Sequence, residues 1–152
     1  MAFRKIGVVG AGTMGNGIAQ VVDEAGFEVV MSDVAQAALD RALATISGSY
    51  DRLIKKEKMT AEQKAAALAR IKTGTDLAAL KDSDLIIEAA TENLDLKLKI
   101  FKQLDDLAKP EAVIASNTSS ISITKLAAST KRPDKVIGMH FFNPVPLMAL
   151  VE

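Results

Sequence analysis

The sequence has no cysteine and a single histidine, His140, among its 152 residues. Disulfides, thiolate metal sites and a cysteine nucleophile are thereby excluded, as is any multi-histidine metal centre. Nor is one charge in excess. Lys+Arg and Asp+Glu both number 19, so no bulk field recruits nucleic acid or an anionic membrane, and an anionic ligand must be held by local features. No apolar run approaches the roughly 18 residues that suggest a membrane span. The opening MAFRKIGVVGAG runs straight into a strand-like segment rather than a secretory apolar region. These absences lead to the expectation of a soluble, cytoplasmic protein with no metal, nucleic-acid or membrane partner. With 49% hydrophobic and 25% charged residues, the chain has the composition and length to bury a substantial core as one domain.

What is present is an alternation. Short apolar, β-branched runs at 6–9, 28–31, 85–89, 113–116 and 136–140, with a weaker one at 71–74, read as buried strands. Helical periodicity occupies 14–25, 93–108 and 122–128. The pattern predicts βαβ units with right-handed crossovers, in an α/β fold whose mainly parallel sheet is covered on both faces. The rhythm breaks between 34 and about 70, where AQAALDRALATISGSYDRLIKKEK and TAEQKAAALARI both look helical. Thr60 and Gln63 form a capping box at the start of the second helix. A protruding helical hairpin inserted after strand 2 is expected.

The most informative segment is IGVVGAGTMGNGIAQVVDEAGFEVVMSDV. Gly10, Gly12 and Gly15 form G-x-G-x-x-G between a strand and a helix, with Ala11, Thr13 and Met14 filling the turn. The first glycine permits the tight turn, the second lets the backbone approach a pyrophosphate, and the third allows close helix–strand packing. The helix N-terminus offers free N–H groups and partial positive charge. Asp33 ends the second strand 18 residues after Gly15. A carboxylate there accepts hydrogen bonds from a ribose diol and repels a 2′-phosphate, so the reading is a Rossmann-type, doubly wound domain that binds NAD in preference to NADP. The alternative is a glycine turn that merely closes a βα unit, with Asp33 as a surface cap. FAD uses a similar turn, but nothing else in the chain points to it.

In doubly wound sheets ligands lie beyond the carboxyl ends of the strands. Those ends carry EAATEN (88–93), SNTSS (116–120) and HFFNPVP (140–146). Asn117, Ser119 and Ser120 supply donors and acceptors, Glu92 a charge, and His140 a base. SNTSS also reads as an ordinary turn into a helix cap.

Taken in order, GAGTMGNGIAQ, EAATENLDLK, ASNTSSISIT and GMHFFNPVPLMALVE resemble the NAD-binding half of the 3-hydroxyacyl-CoA dehydrogenases, in particular the bacterial short-chain 3-hydroxybutyryl-CoA dehydrogenases. The likeness runs over essentially the whole chain, and the family's Rossmann domain carries the same inserted helical hairpin. The resemblance implies interconversion of L-3-hydroxyacyl-CoA and 3-ketoacyl-CoA by hydride transfer to or from NAD. It implies that His140 is the catalytic base, Glu152 its carboxylate partner, and Ser119 a contact to substrate and cofactor. It places Asp33, Glu92, Lys97, Asn117 and Asn143 with the glycine turn around the cofactor, and Ser49 and Lys56 against the CoA moiety of an acyl-CoA substrate. Lys56 also reads as part of a solvated helix face.

The chemistry is consistent with these roles. An alcohol loses hydride only as a base removes its proton, and imidazole ordinarily titrates near neutrality. A carboxylate stabilises the imidazolium and fixes its tautomer. His140 and Glu152 meet only if the segment between them, with Pro144 and Pro146, turns back. Family members continue past this glutamate into a helical domain that closes over the substrate and forms a homodimer. That domain is absent from residues 1–152, so this half alone is expected to bind cofactor, to show weak or no activity, and to self-associate through uncovered apolar surface. A non-catalytic dinucleotide-binding module remains the alternative.

Overall fold

The apolar runs pair side by side into a single parallel sheet. In the computed structural model, which describes residues 2–152, the strands are β1 (Lys5–Val9), β2 (Glu28–Ser32), β3 (Ile71–Gly74), β4 (Leu85–Glu88), β5 (Val113–Ser116) and β6 (Val136–Gly138). Their order is β3-β2-β1-β4-β5-β6, and every neighbouring pair is parallel. The chain steps outward from β1 to β3, then returns to the other side of β1 and steps outward again from β4 to β6. That reversal leaves a crevice between the carboxyl ends of β1 and β4, where an open α/β sheet binds its ligands.

Successive side chains of a strand face opposite sides of the sheet, so each strand feeds both cores. Val8, Met31 and Ile87 join one apolar cluster with Ile18, Leu39 and Ile46. Their neighbours Val9, Val30 and Ile86 join the other, with Phe101, Leu104, Ile114 and Leu126. Helices α1 (Thr13–Glu24), α2 (Gln36–Lys55) and α3 (Ala61–Arg70) contribute to the first cluster, and α4 (Leu94–Leu107) and α5 (Ile123–Ala128) to the second. Among the described residues no helix is long and apolar enough to cross a membrane.

Helices α2 and α3 follow β2, and the Thr60–Gln63 capping box opens α3. The pair is anchored rather than free-standing, because Leu39, Ala42, Ile46 and Tyr50 of α2 are all buried. A polar knot fixes it further. Asp23 of α1, wholly buried, accepts the Tyr50 hydroxyl at 2.5 Å and the Arg70 Nε at 3.0 Å, while Arg70 also donates to the Asp23 carbonyl at 2.9 Å. Burial raises the Asp23 carboxyl against the opposing pull of Tyr50 and Arg70. Burial and the Asp23 contact push the Tyr50 phenol up, so it stays a donor. Exposed charges concentrate at the tip, in Arg52, Lys55, Lys56, Glu57 and Lys58.

On the other face, Arg132 closes the C-terminus of α4. It donates to Asp105 Oδ1 at 2.7 Å, to the carbonyl of Asp105 in the last turn of the helix at 2.9 Å, and to the carbonyls of Lys109 and Ala112 in the loop that follows at 2.5 and 3.1 Å. Strand β6 ends at Gly138, two residues short of the expected 140. Met139 still donates to the Ser116 carbonyl at 2.9 Å, but the amide and carbonyl of His140 are taken by Glu152 instead.

The amino edge of the sheet is pinned by Asp84. Its Oδ2 accepts the amides of Arg4 and Lys5 at 2.8 and 3.0 Å, and its Oδ1 accepts the Lys109 ammonium. The Lys109 contact, with the Lys5 and Arg4 amides, holds this carboxyl well below the usual carboxylate range. A depressed folded value contributes stability that is fully present above the unfolded value of about 3.9 and is lost as pH falls through the folded one. Asp84→Asn is therefore expected to lower the melting temperature by a few degrees at pH 7, with the deficit shrinking steadily below about pH 4. Thermal melts of both proteins from pH 7 to pH 2 measure this; a deficit independent of pH would contradict it.

Candidate cofactor and active site

The glycine turn takes its shape from a contact that only glycine allows. A Cβ on Gly15 would lie 1.9 Å from the Gly10 carbonyl oxygen, so the first turn of α1 presses directly on the end of β1. Gly10 itself has φ +99°, and a Cβ there would meet the Ala89 carbonyl at 2.7 Å. Gly12 is different: a Cβ would meet nothing within 4 Å. It is the exposed N-cap of α1, with no side-chain cap and no acidic residue in the helix's first turn. Free amides, an open approach and no competing anion fit the pyrophosphate of a dinucleotide.

Asp33 holds this turn in place. Its Oδ2 accepts the Ala11 amide at 2.9 Å and its Oδ1 accepts the Ala35 amide at 2.9 Å. Each carboxylate oxygen keeps a further lone pair for a ribose hydroxyl. Beside it opens a cleft of about 780 Å³ whose apolar wall includes Val9, Leu77, Leu96 and Ile100. Its charged lining comprises Asp33, Asp76 and Asp106 against Lys99 alone. The volume suits an adenosine with its ribose.

Across the crevice, β4 and β5 end in Glu88 and Ser116, both fully buried. The Glu88 carboxylate accepts the Lys97 ammonium, Ser116 Oγ at 2.8 Å and the Ala90 amide at 2.8 Å. Lys97 is 1% exposed. Its ammonium reaches Glu88 and Ser116, because a buried charge demands a partner. Glu92 is exposed above the loop and accepts the hydroxyls of Thr118 at 2.8 Å and Ser120 at 3.2 Å. The Asn117 Oδ1 accepts the Phe141 amide at 2.9 Å and so ties the end of β5 to the segment that carries His140. Ser119 is exposed on the same loop.

His140 and Glu152 are brought together by main-chain pairing. The His140 amide donates to the Glu152 carbonyl at 2.8 Å, the Glu152 amide returns a bond at 3.0 Å, and Phe141 bridges Val151. The intervening loop contains a cis Asn143–Pro144 peptide. Nδ1 of His140 lies 3.7 Å from Glu152 Oε2, within ion-pairing reach of an imidazolium and longer than a hydrogen bond. The Glu152 side chain is 77% exposed, so the coupling is screened by water. The Phe142 ring lies 4.5 Å from the imidazole, centroid to centroid.

Other expected residues stand apart. Asn143 is exposed in the loop. Ser49 accepts the Gln20 amide group at 2.7 Å, which links α2 to α1, and Lys56 is exposed just past the end of α2. Seven residues separate them, close to two helical turns, so they share a face of the hairpin. No hydrogen bond among the described residues joins either to the His140 loop.

Comparison with known proteins bears on this arrangement. Residues 5–152 match the family described as 3-hydroxyacyl-CoA dehydrogenase, NAD binding domain. The 3-hydroxybutyryl-CoA dehydrogenase of Bradyrhizobium diazoefficiens is 54% identical over 150 residues, covering 99% of this chain and 51% of that protein. That of Clostridioides difficile is 49% identical over 148 residues, covering 97% and 53%. The crystal structure of the (S)-3-hydroxybutyryl-CoA dehydrogenase of Ralstonia eutropha superposes with a TM-score of 0.95 at 61% identity, covering 99% of this chain and 53% of that one. The chain belongs to the 3-hydroxyacyl-CoA dehydrogenase family.

It spans about half the length of these relatives, corresponding to the family's NAD-binding domain. The cofactor class is therefore a nicotinamide dinucleotide, and the open N-cap at Gly12 fits one. Within this dehydrogenase domain, sequence reasoning missed the Glu88–Ser116 cluster and the cleft wall at Leu77 and Leu96. A carboxylate closing the apolar run LIIE, with a lysine in the next helix, was the available signal for the cluster.

The glycines separate folding from binding. Gly12→Ala is expected to leave the melting temperature nearly unchanged while weakening NADH binding on the order of tenfold or more. Gly15→Ala forces an overlap with Gly10 and is expected to destabilise by about 3 kcal/mol. Thermal melts and NADH fluorescence titrations of both variants decide this; a Gly15→Ala protein as stable as the parent would contradict the packing account.

Proposed function

We propose that the chain is the cofactor-binding half of an oxidoreductase that interconverts a short L-3-hydroxyacyl-CoA, 3-hydroxybutyryl-CoA, and its 3-ketoacyl-CoA, with NAD rather than NADP as cofactor. The observation that carries this reading is the base–carboxylate pair His140 and Glu152, held by backbone bonds on the same edge of the sheet as an open dinucleotide cradle. A protein that only sensed dinucleotides has no use for such a pair.

A bound nicotinamide supplies the hydride acceptor or donor. Because Nδ1 of His140 faces Glu152, Nε2 is left to take the proton of the 3-hydroxyl, or to return one to the 3-keto oxygen. Glu152 favours the tautomer with Nδ1 protonated. Asn117 sets the loop that presents His140 through its bond to Phe141, and Ser119 is exposed alongside to bind substrate. Asp33 holds the adenosine ribose, and the acidic lining of the adjacent cleft supports NAD. Ser49 and Lys56 on the hairpin are assigned to the CoA moiety. Water exclusion and orientation of the acyl group supply much of the rate in such chemistry. We assign these to the half of the relatives that the chain does not match.

The test is a chimera in which this chain replaces the matching half of the Ralstonia eutropha enzyme, assayed by NADH oxidation with acetoacetyl-CoA. His140→Ala is expected to lower kcat by roughly 10²–10⁴-fold while leaving NADH affinity unchanged. A chimera indifferent to the loss of His140 would remove the catalytic assignment. For cofactor choice, NADPH is expected to bind this chain more weakly than NADH; the opposite order would overturn the role given to Asp33.

A further inference from the structure

Gln20 of α1 is 2% exposed, and its amide nitrogen donates twice, to Glu24 Oε1 at 2.9 Å and to Ser49 Oγ at 2.7 Å. A carboxylate only accepts, so the Glu24 contact fixes which end of the amide is nitrogen, and the bond to Ser49 then has one direction. Ser49 receives a proton there and keeps its own. A serine inside a helix often turns its hydroxyl back to the carbonyl four residues earlier. Among the described residues Ser49 makes no such bond, which leaves its proton for a ligand. The surroundings favour an acceptor that carries negative charge. Arg52 and Lys56, three and seven residues on, share the Ser49 face of the hairpin. Both are exposed, and neither is ion-paired among the described residues. Two other cations nearby are neutralised, Lys64 by Asp51 at 2.5 Å and Arg70 by Asp23 at 3.0 Å. The next residue of α2, Tyr50, donates to Asp23, so the hairpin stays seated on α1 without help from Gln20.

We propose that Gln20 is a positioning residue for acyl-CoA recognition. It holds the Ser49 oxygen as an acceptor and so presents the hydroxyl as a donor to an oxygen of the CoA moiety. The proposal rests on the assignment of Ser49 to that moiety above. Helix α1 then serves both ligands: its N-terminus at Gly12 takes the dinucleotide, and Gln20, about two turns further on, sets the hydroxyl that reads the acyl-CoA. Loss of Gln20 disturbs the second ligand and spares the first, which no global weakening of the domain would do.

The test uses the chimera described above with acetoacetyl-CoA and NADH, comparing Gln20→Met, Gln20→Glu, Ser49→Ala and the double variant Gln20→Met/Ser49→Ala. Gln20→Met keeps the volume and loses the bond. Gln20→Glu keeps a bond to Ser49 but reverses it, because a carboxylate takes the hydroxyl proton for itself. Each single variant is expected to raise the KM for acetoacetyl-CoA by about fivefold or more, with a smaller change in kcat and with NADH affinity within about twofold of the parent. The double variant is expected to be no worse than Ser49→Ala, because Gln20 acts through that hydroxyl. Additive losses in the double variant would mean that Gln20 does not act through Ser49. A parental KM in Gln20→Glu would mean that the bond only joins two helices. Either result overturns the proposal, and so do equal losses for acetoacetyl-CoA and NADH. If Ser49→Ala alone left the KM unmoved, the assignment of Ser49 to CoA would fall and the proposal with it, while the redox reading would still be decided by His140→Ala.

Discussion

The architecture of the binding edge depends on the contact between the Gly10 carbonyl and the bare Cα of Gly15. Only without a side chain at 15 does α1 begin so close to the end of β1. From that placement follow the aim of the α1 N-terminus into the crevice and the position of the Ala11 amide that Asp33 receives. The same glycine, Gly10, rests against the Ala89 backbone, so the turn also fixes how near the loop after β4 can come. One short-range steric fact therefore registers three strands relative to each other at the point where a ligand enters.

The parallel sheet then collects chemistry from far along the chain. Each strand delivers its carboxyl end to the same edge, and four of the six ends carry a polar group named above: Asp33 after β2, Glu88 on β4, Ser116 on β5, His140 after β6. Water-facing members of this set need only be placed. The buried ones must also be paired, and the pairing builds the loops between them. The opposite edge follows the same logic, with Asp84 gathering the start of β1 and Lys109 of the loop between α4 and β5.

Much of this was legible in the sequence, and the reasons for the rest are specific. The runs 71–74 and 113–116 became β3 and β5 with those bounds, because a short apolar run between polar turns has little freedom in a parallel sheet. The glycine turn was readable since the contact between Gly10 and Gly15 joins near neighbours in the chain. The tail of β6 was not, because its limit is set by a hydrogen-bonding partner twelve residues further on. Asp23, Tyr50 and Arg70 lie up to 47 residues apart, and Arg132 lies 27 from Asp105. Nothing local distinguishes these from surface charges. The burial of Lys97 was not legible for the same reason: it depends on Glu88 and Ser116, which only the folded sheet brings beneath it.

The loop between His140 and Glu152 is closed by their amides and carbonyls, with Phe141 bridging Val151, and neither of the two side chains takes part in that main-chain closure. The two positions therefore behave as a socket. Exchanging the groups they carry changes what the loop does to a ligand without changing where the loop lies. Reactivity at this edge can accordingly be rewritten, by evolution or by design, one side chain at a time and at almost no risk to the fold.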